Sequence, residues 1–232
     1  MKACILFFSL LAFNLHAQPP SHQNFSQQLQ RFVSEKGMVD YTGWKKEESN
    51  LDLYLNSLAQ NPPEKNWSRS QKLAYWINAY NAFTIKLILK NQPVKSIRDL
   101  HNGNPWEIPW MKLGDQNYSL NQIEHAIIRP QFEDPRIHFA LNCAATSCPP
   151  LLNEAFLPEK LDAQLEAQTR EFINDPRFHQ LSGKAFQTSQ IFNWYGEDFG
   201  ELIDFLNSYR NEKLATGTKI TFAGYDWSLN GK

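Results

Sequence analysis

Residues 73–83 read Leu-Ala-Tyr-Trp-Ile-Asn-Ala-Tyr-Asn-Ala-Phe, apolar or aromatic on every face of a helix. A helix of that composition has to be enclosed on all sides. Ser68, with Gln71 three residues on, supplies a capping box ahead of it, and Asn91 and Pro93 stop it. The pattern predicts a central helix over about 68–90, around which the rest of the chain must be built. Asn78 and Asn81, one turn apart, then become buried amides. An unpartnered buried amide costs about 1–3 kcal/mol, so the two either brace neighbouring backbone or face a polar cavity.

Apolar residues at Phe25, Leu29, Phe32 and Val33 predict a helix over 25–36, stopped by Gly37, and a second runs over 46–60 into Asn61-Pro62-Pro63. Residues 100–118, rich in Gly, Asn and Pro, read as an ordered loop or short hairpin whose Trp106 and Trp110 fold back on the body. Ser119 and Gln122 form another capping box for a helix to about Ile128. Alternation of Ile137, Phe139 and Leu141 with His138, Ala140 and Asn142 predicts a strand over 136–142. Helices follow over about 158–173, 189–195 and 198–209, and short alternating stretches over 219–222 and 225–229. The expected class is α+β, a mainly helical single domain with a small β-sheet.

At the N-terminus, Lys2 is followed by an apolar run over 3–13 and a small residue at Ala17. This is the build of a signal peptide over 1–17, cut after Ala17, and it predicts a periplasmic or secreted protein. The run is too short for an integral membrane span. The polar stretch 18–24 reads as a disordered leader, leaving 25–232 as one globular domain. With 23 basic and 24 acidic residues, the formal net charge is −1, which gives no reason to expect a nucleic-acid partner. Aromatic content of 13%, with seven Trp and sixteen Phe, is enough to fill one core without disulfides.

Residues 136–150 hold Cys143 and Cys148 with His138 close by. A thiolate is the reactive form of cysteine and needs an imidazole or a helix N-terminus to lower its pKa; a third polar group fixes the imidazole tautomer. The residues therefore offer Cys143 as nucleophile, His138 or His125 as base and Glu124 or Asn142 as orienter. A cleft walled by Trp76, Asn78, Asn81, Asn142 and Tyr195 would bind the substrate. The competing reading is a structural Cys143–Cys148 disulfide, natural for two cysteines in an oxidising compartment. A metal set of His138, Cys143 and Cys148 with His125 or Glu124 lacks the tight clustering of zinc motifs, and no glycine-rich phosphate loop occurs. No metal and no cofactor are expected.

Several segments together resemble one family: 74–85 (Ala-Tyr-Trp-Ile-Asn-Ala-Tyr-Asn-Ala-Phe-Thr-Ile), 123–129 (Ile-Glu-His-Ala-Ile-Ile-Arg), 134–143, 147–150 (Ser-Cys-Pro-Pro) and 194–199 (Trp-Tyr-Gly-Glu-Asp-Phe). The chain looks like an exported bacterial member of the domain-of-unknown-function 547 family (DUF547), over about 35–229. Plant-type members of that family keep a cysteine where Cys143 stands and often carry serine where Cys148 stands, so the resemblance implies Cys143 as the better candidate for chemistry.

Two expectations follow. The first is an exported thiol-dependent hydrolase or acyltransferase acting on an amide or thioester bond, related in fold to papain-like or permuted thiol hydrolases. The alternative is a non-catalytic module that binds a peptide or small molecule in the same cleft, with the cysteines stapling a loop.

Overall fold

The computed structural model describes residues 18–232, so the segment expected to be a signal peptide lies outside the described residues. Helix α1 (Gln23–Phe32) begins two residues before the predicted start and ends four before the predicted end. His22, in the stretch expected to be an unstructured leader, is buried, with Nδ1 2.7 Å from the Tyr54 hydroxyl. Helix α2 (Tyr41–Lys45) is capped by Asp40, whose carboxylate accepts the Gly43 N–H at 2.8 Å. Helix α3 (Glu48–Gln60) lies close to the predicted 46–60.

Helix α4 (Arg69–Lys90) is the predicted central element. The Ser68 hydroxyl accepts the Gln71 N–H at 3.1 Å and the Gln71 side-chain Oε1 accepts the Ser68 N–H at 2.7 Å, which completes the box. Every residue from Leu73 to Ile85 is buried. Helices α2 and α3 pack directly on it. Lys86 is held between Glu48 and Asp52 of α3, at 2.7 and 2.5 Å.

The loop carrying Trp106 and Trp110 ends in a hairpin, β1 (Met111–Leu113) antiparallel to β2 (Gln116–Tyr118), with Met111 opposite Tyr118. The turn is docked on α3 by the Gly114 N–H, which donates to the Ala59 carbonyl at 2.9 Å. Ser119 and Gln122 make the predicted reciprocal contacts, at 2.8 and 3.1 Å. The helix they start is widened into a π-helical segment, Gln122–Ile128, before it continues as α5 (Arg129–Phe132). Local π widening is rare and recurs at functional sites, because it re-aims the side chains along one face.

The predicted strand over 136–142 is not formed. Pro135 occupies the first position of a 3₁₀ helix, Pro135–Phe139, and the Asp134 carboxylate caps it by accepting the Arg136 N–H at 3.0 Å. Proline fixes its own φ in the helical range and suits a first helical turn. Ile137, His138 and Phe139 are all buried, so the apparent alternation has no polar face.

Helix α6 (Leu161–Asn174) starts three residues later than predicted and packs on this 3₁₀ turn. Beyond it a second apolar cluster forms around Phe139, Phe172, Phe186, Phe192 and Phe199. Its sheet is mixed: β3 (Gln180–Ser182) pairs antiparallel with β4 (Ala185–Thr188), which pairs in parallel with β5 (Lys219–Phe222). Only β5 was anticipated. Helix α7 (Ile191–Trp194), a 3₁₀ turn (Gly196–Phe199) and α8 (Leu202–Tyr209) complete this half.

The last residues run back as an extended strap. Single bridges pair Ser228 with Ser96, Leu229 with Ala145 and Gly231 with Val39, in place of the regular strand predicted over 225–229. The architecture is mainly helical with a small mixed sheet, as expected. Among the described residues no sheet closes on itself and no thiol faces an imidazole, so a papain-like relationship finds no support.

Candidate functional site

The loop after the 3₁₀ turn is fixed by three asparagines. Asn81, on α4, accepts the Asn142 N–H at 2.9 Å and donates to the Ala140 carbonyl at 2.9 Å. Asn142 donates to the Pro149 carbonyl at 2.8 Å, and its own carbonyl accepts from the Ala144 N–H at 2.9 Å and from Asn230 at 3.2 Å. This double clamp draws the two ends of the segment together. Cys143 and Cys148 form a disulfide across it, with an S–S distance of 2.21 Å and Cα atoms 6.1 Å apart.

The disulfide overturns the first functional expectation. A sulfur bonded to sulfur carries no thiolate, so Cys143 is not the nucleophile of a hydrolase or acyltransferase, and His138, His125 and Glu124 have no thiol to activate. The Tyr225 hydroxyl lies 3.2 Å from the Cys143 sulfur.

Four residues assigned to the cleft wall are framework instead. Asn78 donates to the Phe156 carbonyl at 2.8 Å and accepts its N–H at 2.9 Å, which satisfies both ends of the amide on one backbone unit. Asn81 and Asn142 are occupied as described. Trp76 is buried, edge-on to Tyr75 and Tyr118 at 5.1 and 5.5 Å. The bracing reading of the buried amides is the one realised.

A cleft of about 240 Å³ opens beside the disulfide. Glu124, His125, His138, Cys143, Cys148 and Tyr195 line it, so the structure does gather most of the residues singled out from sequence. The π-helical segment brings Glu124 and His125 to the same cavity. Glu124 is only 7% exposed, and its charge acts on the phenols of Tyr80 and Tyr195. Burial, and then the Glu124 charge, push both phenols well above the usual tyrosine range. His125 is exposed, its Nδ1 3.2 Å from Arg129.

His138 is 4% exposed, stacked on Tyr195 with centroids 4.1 Å apart, and its Nε2 lies 2.6 Å from Asp198. Burial lowers its pKa although Asp198 opposes the shift, so the ring is neutral at neutral pH and donates its Nε2–H to the carboxylate. Asp198 is held below the usual carboxylate range chiefly by Arg129, which grips both its oxygens at 2.7 and 2.8 Å. The group that orients His138 is therefore Asp198, not Glu124 or Asn142.

The open side of the cleft is aromatic. Trp106, Trp194, Tyr225 and Trp227 line it, and Trp194 is 47% exposed. Their rings touch in sequence: Trp194 to Tyr225 at 4.8 Å, Tyr225 to Trp227 at 4.5 Å, and Trp227 to Trp106 at 5.6 Å. None of these four was assigned to the site from sequence. For Trp106, Tyr225 and Trp227 the signal lay in the tryptophan-rich loop and the aromatic terminus, both of which read as core-packing elements; Trp194 lay in the helix predicted over 189–195. Among the described residues no group of three or more His, Cys, Asp or Glu side chains is placed to hold a metal ion, and no helix is long and apolar enough to cross a membrane.

Residues 64–173 match a family model described as a protein of unknown function, DUF547. The match runs from just before α4 to the end of α6, and so contains Glu124, His125, His138 and both cysteines. Asp198 and three of the four aromatic wall residues lie beyond it. No curated protein and no solved structure matches the chain.

Proposed function

We propose that the chain is a non-catalytic binding module that takes a small molecule, or one side chain of a peptide, into the aromatic cleft, with the Cys143–Cys148 disulfide stapling the cleft wall. The observation that carries this reading is that both cleft sulfurs are spent in one bond while Trp194 stands half-exposed at the mouth. Exposed aromatic surface at the rim of a concave site is apolar area left for a ligand to cover. The cavity suits a compact guest rather than an extended polymer. Glu124, Tyr195 and the rings of Trp106, Trp194, Tyr225 and Trp227 are the proposed contacts.

The apolar leader over 3–13 supports export of the protein to the periplasm or the medium, where a structural disulfide persists.

Thermal-shift screening of a small-molecule set against the wild-type chain and Trp194→Ala tests the reading. A ligand is expected that raises the melting temperature of the wild type, leaves Trp194→Ala unmoved, and still binds the Cys143→Ser/Cys148→Ser double variant below its own lower melting point. Turnover of the bound compound by disulfide-intact protein, or ligands indifferent to Trp194, would overturn it.

A further inference from the structure

We infer that the guest of this cleft is a small organic cation, an ammonium group seated against the aromatic wall with the Glu124 carboxylate as its counter-charge. The inference rests on the binding-module reading and specifies its ligand. Three observations lead to it. Glu124 is deeply buried, yet none of the ion pairs among the described residues involves it; it lines the cavity together with Tyr80 and Tyr195. Among the described residues no lysine or arginine lines the cavity, and the two imidazoles there are those of His125 and His138. Glu124 lines the same cavity as Trp194, Tyr195, Tyr225 and Trp227, so the carboxylate and the aromatic rings share one space.

Aromatic faces attract cations through their quadrupole, and the attraction grows when the cation is desolvated. The protein's own guanidinium groups already use this chemistry around the site. Arg98 sits 5.2 Å from the Trp227 ring and Arg129 5.3 Å from the Tyr195 ring. Neither arginine lines the cavity, and among the described residues no cation is placed over the rings of the half-exposed Trp194 or of Tyr225. An anionic guest would meet Glu124 without compensation, and a neutral one would leave its charge unused. A quaternary ammonium satisfies the carboxylate by charge alone and offers its methyl groups to the ring faces.

Isothermal titration of the full chain with choline, tetramethylammonium and 3,3-dimethyl-1-butanol, the uncharged isostere of choline, tests this. Choline is expected to bind about tenfold or more tighter than the isostere. Glu124→Gln is expected to bring choline down to the level of the isostere, and Trp194→Ala to weaken both. Equal affinity for choline and the isostere, or a Trp194-dependent neutral or anionic ligand unaffected by Glu124→Gln, would overturn the cation and leave the binding module standing. Absence of any Trp194-dependent ligand would overturn both. The comparison of choline with its isostere uses the wild-type chain, so it decides the matter even if Glu124→Gln fails to fold.

Discussion

His138 and Asp198 meet at 2.6 Å across sixty residues of chain, and Arg129 grips the far side of the same carboxylate. The pair ties the 3₁₀ turn of the first half to the 3₁₀ turn of the second, so it joins the two apolar clusters at the back of the cleft. Neither Asp198 nor Arg129 is fully enclosed, which places the interaction between a surface pair and a buried one. Asp198→Asn is expected to cost about 2 kcal/mol of unfolding free energy, intermediate between those two classes. Urea titration with tryptophan emission as the signal reads this directly; an unchanged midpoint would mean that the two halves are joined by apolar packing alone.

Burial lowers the pKa of His22 and His179 from 6.5 to about 4, and that of His138 in the same direction. The unfolded chain takes up these protons near pH 6.5, while the folded chain resists them until lower pH. Stability is therefore full above about pH 6.5 and falls as the pH drops toward 4, by on the order of 3 kcal/mol for each of His22 and His179. Asp198 and Asp175 have lowered pKa values, so their contribution is lost only below that window, as pH falls through their folded values. Melting temperatures recorded from pH 7.5 to 4.5 are expected to fall, with a shallower slope in His22→Gln; a flat profile in the wild type would contradict the burial of these rings.

Closing a loop of five-residue separation restricts the unfolded chain by about 2 kcal/mol. The Cys143→Ala/Cys148→Ala variant is expected to lose about that much and to keep its fold, because the asparagine clamp on Ala140, Asn142 and Pro149 is independent of sulfur. Alkylation of the unreduced protein with iodoacetamide should leave both cysteines unmodified, and peptide mapping should recover them lacking both thiol hydrogens. Rapid labelling of Cys143 without reductant would restore the case for a thiol.

The central helix was legible because its signal is local and redundant: a capping box, a stop, and apolar residues on every face. The roles of Asn78 and Asn81 were half legible. Burial followed from the helix, but the partners, Phe156 and Ala140, lie 78 and 59 residues away. The segment 136–142 misled because residues buried on both sides of a short 3₁₀ turn mimic alternation, and Pro135 was the better guide. The aromatic wall escaped notice for a different reason. Trp194, Tyr225 and Trp227 look like core residues by composition, and only the path of the terminal strap brings two of them to the cleft mouth.

That strap depends on one glycine. A Cβ at Gly231 would lie 2.0 Å from the Val39 carbonyl oxygen and 2.8 Å from its carbon, and both are backbone atoms that no side-chain rotation can clear. The strap's bonds run on both sides of the position: Val39 N–H donates to the Asn230 carbonyl at 2.9 Å and Lys232 N–H to the Val39 carbonyl at 3.2 Å. Upstream, the Leu229 N–H reaches Lys95 at 2.9 Å and the Asn230 N–H reaches Ala144 at 3.1 Å. Gly231→Ala is thus expected to cost about 1–3 kcal/mol, the usual range for forced overpacking, and to loosen Tyr225 and Trp227 from the cleft. Gly224, at the other end of the strap, has nothing within 4 Å of an added Cβ, so Gly224→Ala serves as the control and should leave both stability and binding unchanged. Urea midpoints together with ligand titration of the two variants check this. If Gly231→Ala matched Gly224→Ala in both measurements, the strap would not be what holds the aromatic wall in place.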